Sequence, residues 1–132
     1  DSWLEADEET PIGASLISQA KWEMAGTLFS VKDPEGRTVH CLESRWKDHV
    51  CTPKPFMGKL RSEVERTIAD PDAICKDAAF DTRLCYYRLN SMHNAYIKVV
   101  AERKSRENYQ LITAYPTANM KMGEEPVWLR KS

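Results

Sequence analysis

The stretch from Arg83 to Tyr115, RLCYYRLNSMHNAYIKVVAERKSRENYQLITAY, gives the strongest indication of the fold. It contains three runs rich in aromatic and β-branched residues, which are typical of strands. Two polar connections of hairpin length, 90–94 and 102–108, separate these runs. The pattern predicts three consecutive antiparallel strands, and the apolar segment 73–76 predicts a fourth strand before them.

Side chains at alternate positions of a strand point to opposite faces of a sheet. In the middle run, Ile97 and Val99 point to one face and Lys98 points to the other. We expect the face with the apolar side chains to pack against the helices, and the face with the polar side chains to be open. The residues predicted on the open face are Tyr86, Arg88, Lys98, Leu111, Thr113 and Tyr115. Those predicted on the helix face are Cys85, Tyr87, Leu89, Ala95, Ile97, Val99, Ala101, Ile112 and Ala114.

The residues before this stretch predict a hairpin and two helices. Segments 27–31 and 37–42 are rich in Thr, Val and Phe, and the sequence DPEG between them is typical of a tight turn. Segment 43–50 predicts a short helix that two prolines end, and apolar residues at every fourth position predict a longer helix over 56–68. This order predicts an α+β domain, with a small helical layer packed on a four-stranded antiparallel sheet and an N-terminal hairpin.

The composition is that of one globular domain with an uneven charge. The chain has 132 residues, of which 42% are hydrophobic and 30% are charged. Residues 1–26 are predicted to be an acidic leader with a helical pattern, and residues 27–132 to be the domain. Up to Leu42 there are 3 Lys and Arg against 8 Asp and Glu, and from Glu43 onwards there are 16 against 12. The strand-rich part is therefore mildly basic, as expected of a nucleic-acid binder.

The sequence also argues against several classes of protein. No apolar run approaches the roughly 18 residues of a membrane span, so we expect no membrane partner. The four cysteines form no CxxC pair, which argues against a zinc ribbon. We expect reduced, structural cysteines, no metal site and no cofactor. Because the sequence opens at Asp1, we expect a fragment, a processed product or a domain of a larger protein.

Several short motifs between residues 41 and 128 carry a family resemblance. In order they are WKDHV, a proline-broken helix, VERTIADPDAI, RLCYYR, YIKVV and LITAYPT. As an ordered set they resemble the phage-associated nuclease domains of the barnase, EndoU, colicin E5/D and RelE-like superfamily. The resemblance implies a metal-independent endoribonuclease, often a toxin or phage-borne effector, whose active site lies on the open face of the sheet.

Metal-free RNA cleavage lets the ribose 2′-OH attack the adjacent phosphate, and it needs a base, an acid and cations near the phosphorane. Under the resemblance, His49 is the leading base or acid, because imidazole titrates near neutrality. Arg88 would bind phosphate and Lys98 would stabilise the transition state, while Thr113 and Tyr115 would donate hydrogen bonds or stack on a base. The residues predicted to bind substrate are Arg45, Arg83 and Tyr86. His40 is a further candidate as a second catalytic histidine, and the identity of the general base stays open.

Two alternatives remain beside the ribonuclease. One is a non-catalytic nucleic-acid-binding or virion-associated module on the same fold, and the other is an interaction domain whose leader docks through Trp3. For a ribonuclease toxin we expect RNA as substrate, with tRNA as one candidate, and an acidic immunity or antitoxin protein as partner. Its site of action would be the cytoplasm, reached from a phage particle or as a secreted effector.

Overall fold

The computed structural model describes residues 22, 26–92 and 94–131. In this part of the chain the strands are β1 (Thr27–Lys32), β2 (Thr38–Leu42), β3 (Ala73–Lys76), β4 (Arg83–Asn90), β5 (Ala95–Arg103), β6 (Asn108–Thr117) and β7 (Glu125–Leu129). The helical elements are α1 (Glu43–Arg45), a π-helical segment (Trp46–Cys51), a 3-10 segment (Pro55–Leu60) and α2 (Arg61–Ala69). Apart from Trp22 and Gly26, the predicted leader lies outside the described residues.

All of these strands belong to one sheet, in the order β1-β2-β6-β5-β4-β3-β7. β2 and β6 are parallel, whereas the other neighbouring pairs are antiparallel. The predicted four-stranded antiparallel sheet is therefore wrong, although the domain remains α+β. The hairpin is part of the same sheet, because Thr38 pairs with Asn108. A pairing between residues so distant in the sequence leaves no local pattern that could reveal it.

β7 is a strand that the sequence does not indicate. Its sequence, EPVWL, is short and contains Pro126, which is tolerated in a strand at the edge of a sheet. β7 pairs with β3 at that edge, and Trp128 packs against the main core. The stability of this strand therefore comes from tertiary contacts rather than from its local propensity.

The main core lies between the helical elements and one face of the sheet. Its buried helical residues are Trp46, Val50, Met57, Val64 and Ile68, and its buried strand residues include Val39, Cys41, Ile74, Leu84, Tyr86, Ile97, Val99, Ala101, Leu111 and Ala114. A smaller cluster on the opposite face contains Ala73, Cys75, Cys85, Tyr87 and Val100. We call these two faces the helix face and the open face.

The predicted alternation of β4 is wrong. Tyr86 lies in the main core, and Cys85 and Tyr87 lie in the cluster on the open face. Arg88 follows the same alternation, pairs with Ile97 and reaches Asp70 just beyond α2, so it lies on the helix face. Both sets of β4 residues are largely apolar and buried, so their composition does not distinguish one face from the other.

A β-bulge reverses two positions of β6. The paired residues are Ala101 with Leu111 and Val100 with Thr113. Ile112 is therefore the extra residue, and it packs on the open face while Leu111 joins the main core. Thr113 and Tyr115 lie on the same face as Lys98, where the sequence predicts them, because Tyr115 pairs directly with Lys98.

The helical segment after β2 combines one α-helical turn with a π-helical turn. The Thr52 N–H donates to the Lys47 carbonyl over 3.0 Å, five residues back in the chain. Trp46 and Val50 are buried in the main core, and the intervening side chains, which include His49, are exposed. π-helical turns are rare and recur at functional sites. In the described part of the chain, none of the helices has the length and apolar character that a membrane crossing requires.

Candidate active site

Three of the predicted site cations are held in ion pairs with carboxylates. The pairs are Arg83 with Glu102 at 3.0 Å, Arg88 with Asp70 at 3.1 Å, and Lys98 with Glu124 at 2.6 Å. Each of these cations already has a local anion that neutralises it. A substrate phosphate would have to compete with that carboxylate for each of them.

Lys98 is the most deeply buried of the three. Its side chain is 5% exposed and that of Glu124 is 1% exposed. Burial alone would lower the pKa of Lys98, but hydrogen bonds to Glu124 and Tyr87 outweigh it and raise the pKa above its ordinary value. Tyr87 also donates its hydroxyl hydrogen bond to Glu124. Lys98 is therefore a charged member of a closed polar network on the open face.

The same network accounts for a cluster of three groups that could hold a metal ion. Ligand atoms of Asp77, Cys85 and Glu124 lie within 4.8 Å of one another. Asp77 accepts two backbone hydrogen bonds of 2.9 Å from the turn that follows it, and Glu124 is bound to Lys98. Burial raises the pKa of the Cys85 thiol, which keeps it protonated. These interactions explain the cluster as a structural one.

Tyr86 is placed where it cannot face a substrate. The whole residue is buried, and its hydroxyl donates a 2.6 Å hydrogen bond to Asp33. Asp33 also accepts hydrogen bonds from the backbone N–H groups of Glu35 and Arg37, which form the hairpin turn. Burial and the hydrogen bond to Asp33 raise the pKa of Tyr86. The hydrogen bond from Tyr86 therefore connects the turn of the hairpin to the core of the sheet.

Two predicted site residues, Arg45 and His49, line one open depression. The depression has a volume of about 190 Å³, and its lining residues are Leu42, Ser44, Arg45, Asp48, His49 and Gln110. Arg45 belongs to α1 and His49 to the π-helical segment, which holds Asp48 and His49 on the outside because Trp46 is buried. Within the described residues, neither Arg45 nor His49 makes a side-chain hydrogen bond or an ion pair.

Thr113 and Tyr115 lie further along β6 from this depression. Gln110 of β6 lines the depression, and both residues follow it in the same strand. The Lys54 ammonium lies 5.3 Å from the centre of the Tyr115 ring, and the Lys98 ammonium lies 5.7 Å from it. The structure thus brings Lys98 and Tyr115 together, whereas Arg88 lies on the other face of the sheet.

His40 lies in a closed structural environment. Its Nδ1 is 2.7 Å from the Ser30 hydroxyl, and its Nε2 is 2.9 Å from the side-chain oxygen of Asn108. The Asn108 amide nitrogen donates to Ser105, so its oxygen accepts from Nε2–H, and we assign the neutral tautomer to His40. The ring stacks on Trp22 at 4.1 Å, and burial lowers the pKa of His40. This histidine is held in its uncharged form by the fold.

Sequence reasoning missed four residues around the depression. They are Leu42, Ser44, Asp48 and Gln110. Asp48 directly precedes His49 in the predicted motif, so its proximity in the chain was the available signal. Gln110 reaches the depression only because β2 pairs with β6, and no local pattern indicates that contact. Lys54 was missed as well, since its position beside Tyr115 depends on the path of the chain between two prolines.

Comparisons with known proteins identify no relative of the chain: no family model, no curated protein and no solved structure matches it. The site offers an exposed imidazole, a neighbouring carboxylate and a guanidinium in one depression. The Tyr115 ring lies further along β6, with the Lys54 ammonium beside it.

Proposed function

We propose that the chain is a metal-independent endoribonuclease whose active site is the depression around His49. The observation that carries this proposal is that His49 and Arg45 line the same open depression and have no protein partners in the described residues. By contrast, the cations that the sequence predicts in β4 and β5 are neutralised by carboxylates. A phosphodiester would therefore find available charge around His49 rather than on the sheet.

The lining residues supply the groups that 2′-OH attack requires. A base takes the proton of the 2′-OH, the 2′-oxygen forms a bond to phosphorus, and the bond to the 5′-oxygen breaks as an acid protonates that oxygen. Asp48 and His49 are the two groups of the depression that can exchange protons, and Arg45 can bind two phosphate oxygens at once. We assign Asp48 as base, protonated His49 as acid and Arg45 as the phosphorane ligand. The products are a 2′,3′-cyclic phosphate and a 5′-hydroxyl end.

The test is cleavage by the wild-type chain in the presence of EDTA. A labelled single-stranded RNA, a DNA of the same sequence and a 2′-O-methyl RNA of that sequence are each incubated with the protein. We expect cleavage of the RNA alone, with ends that carry 2′,3′-cyclic phosphate. Cleavage of the DNA or of the 2′-O-methyl strand would contradict the proposal, because neither strand has the attacking 2′-OH.

A second candidate is a nucleic-acid-binding module that does not cleave. Arg45 lines the depression, Lys47 is exposed in the same π-helical segment as His49, and Lys54 lies beside Tyr115. None of the three makes an ion pair among the described residues, so this part of the chain presents positive charge. Such cations bind a phosphate backbone with or without chemistry. A folded protein that binds the labelled RNA and leaves it intact would favour this candidate over the ribonuclease.

A ribonuclease of this kind that acts in the cytoplasm as a toxin needs a neutralising protein. The same three cations predict the chemistry of that protein: an acidic surface that covers Arg45, Lys47 and Lys54 would exclude the phosphate backbone. Binding of such a partner to the protein, measured directly in the absence of RNA, would be lost in a variant in which these three residues are neutralised.

A further inference from the structure

Lys54 has an unusual environment for a lysine. It is half-buried, its ammonium lies 5.3 Å from the centre of the Tyr115 ring, and no carboxylate pairs with it in the described residues. The aromatic ring attracts this ammonium but does not neutralise its charge. Lys54 is therefore available to bind an anion from a ligand.

We propose that Lys54 and Tyr115 form a second nucleotide-binding subsite, which holds the RNA strand beyond the nucleotides at the cleaved bond. Lys54 binds a backbone phosphate and the Tyr115 ring stacks on a base. This inference rests on the proposed function, because the depression around His49 supplies the first subsite. It identifies the substrate as a single-stranded oligonucleotide rather than a mononucleotide or a dinucleotide.

The charge around Tyr115 explains why Lys54 and not Lys98 binds the phosphate. Lys98 lies 5.7 Å from the centre of the same ring, but its ammonium is 2.6 Å from the Glu124 carboxylate and its side chain is buried. The positive charge of Lys98 is therefore neutralised inside the protein. Lys54 is the cation beside this ring that remains available to an anion.

The backbone on either side of Lys54 is restrained. Pro53 and Pro55 flank it, and each proline ring restricts the backbone torsion φ at its own position. The Lys54 carbonyl accepts a 2.9 Å hydrogen bond from the N–H of Met57, whose side chain is fully buried in the main core. The ammonium is thus presented from a fixed main chain, which lowers the entropy lost when it binds a phosphate.

The distance between the two subsites decides the length of the substrate. Gln110 lines the depression and Tyr115 lies five positions further along β6, which corresponds to roughly 16 Å at about 3.3 Å per residue. A strand of several nucleotides spans such a distance, whereas a dinucleotide at the cleaved bond does not. Aromatic stacking combined with a backbone cation is typical of proteins that bind single-stranded nucleic acid.

The experiment compares a decanucleotide with a dinucleotide in the variants Lys54→Met, Lys54→Arg and Tyr115→Leu. Lys54→Met keeps the length of the side chain over the ring and removes the charge. We expect kcat/KM for the decanucleotide to fall about tenfold or more in Lys54→Met and Tyr115→Leu, with dinucleotide cleavage unchanged, and Lys54→Arg to retain activity. Equal loss for both substrates, or no loss for either, overturns the inference while wild-type cleavage still supports the proposed function.

Binding of a 2′-O-methyl decanucleotide separates the subsite from the chemistry. By fluorescence anisotropy, we expect Lys54→Met to weaken binding and to reduce the slope of log K against log salt by about 0.7, as for one lost single-strand phosphate contact. If the wild-type protein cleaves nothing, the proposed function fails, and this loss still supports the subsite. An unchanged affinity and slope in a variant with wild-type thermal stability overturns it.

Discussion

The ammonium of Lys98 lies 2.6 Å from the carboxylate of Glu124, and both side chains are almost completely buried on the open face of the sheet. The sequence predicts Lys98 as a free cation for the transition state. The carboxylate comes from the turn before β7, a strand that the sequence does not indicate. The open face of the sheet is therefore partly buried. The accessible cations lie in the helical segment that contains Arg45 and in the proline-flanked connection that contains Lys54.

This pair makes a first prediction about stability. Glu124→Gln leaves the Lys98 charge buried without its partner, so we expect the free energy of unfolding to fall by about 3–5 kcal/mol. The matched control is Glu125→Gln, because Glu125 is the exposed neighbour and makes no ion pair within the described residues. Urea unfolding measures both. A loss in Glu124→Gln no larger than that of Glu125→Gln would show that the pair is not buried in solution.

A second prediction concerns Tyr86, which the sequence places among the substrate-binding residues. Tyr86→Phe removes the hydrogen bond to Asp33, so we expect it to lower the free energy of unfolding by about 1–3 kcal/mol. Because the side chain is buried away from solvent, kcat/KM for RNA should stay at the wild-type value when measured well below the melting temperature. A stable Tyr86→Phe protein with impaired cleavage would place this hydroxyl at the substrate instead.

A third prediction separates the cations of the depression from those of the sheet. Arg45→Gln removes a guanidinium without a protein partner, so we expect RNA cleavage to fall about tenfold or more. Arg88→Gln is the matched control, because Arg88 is paired with Asp70 on the helix face and should change stability more than cleavage. The reverse order of effects on kcat/KM would move the phosphate site from the depression to the sheet.

A fourth prediction follows from His40. Burial holds its pKa below the ordinary value of 6.5, although the hydrogen bond to Asn108 opposes this shift. As the pH falls below 6.5, His40 takes up a proton more readily in the unfolded chain than in the folded one, so the free energy of unfolding decreases. Above about pH 6.5, His40 is neutral in both states and its contribution to the free energy of unfolding is fully present.

The measurement for His40 is urea unfolding across this pH range in the wild type and in His40→Gln. The other histidines are present in both proteins, so their contributions cancel in the comparison. We expect a flatter dependence on pH in the variant. Identical slopes in the two proteins would show that His40 titrates normally in the folded state.

The sequence predicts those parts of the fold in which strand neighbours are also chain neighbours. Strands β4, β5 and β6 and the hairpin of β1 and β2 lie where alternation and turn residues indicate them. The parallel pair of β2 with β6 and the edge strand β7 depend on distant contacts, so the predicted sheet lacks them. The side of the sheet on which Lys98 lies is predicted correctly, because its neighbours in β5 are clearly apolar. The side on which Tyr86 lies is predicted wrongly, because both sides of β4 are buried.

The candidate site follows the same division. Arg45 and His49 lie one helical turn apart in the chain. The sequence predicts both as site residues, and both line the depression. Gln110 and Lys54 join the site through the pairing of β2 with β6 and through the course of the proline-flanked connection. Local spacing therefore indicates the side chains of one helix turn, whereas the remainder of the site depends on the tertiary fold.

The most direct test of the central claim is cleavage of a labelled single-stranded RNA in EDTA by the variant His49→Gln. His49 is exposed, so the variant should keep the thermal stability of the wild type, and Lys32→Gln, an exposed cation at the far end of β1, is the control for surface charge. We expect a rate at least about 100-fold below wild type for His49→Gln, and a wild-type rate with 2′,3′-cyclic phosphate ends for Lys32→Gln. Cleavage by His49→Gln at the wild-type rate would contradict the assignment of His49 to the active site.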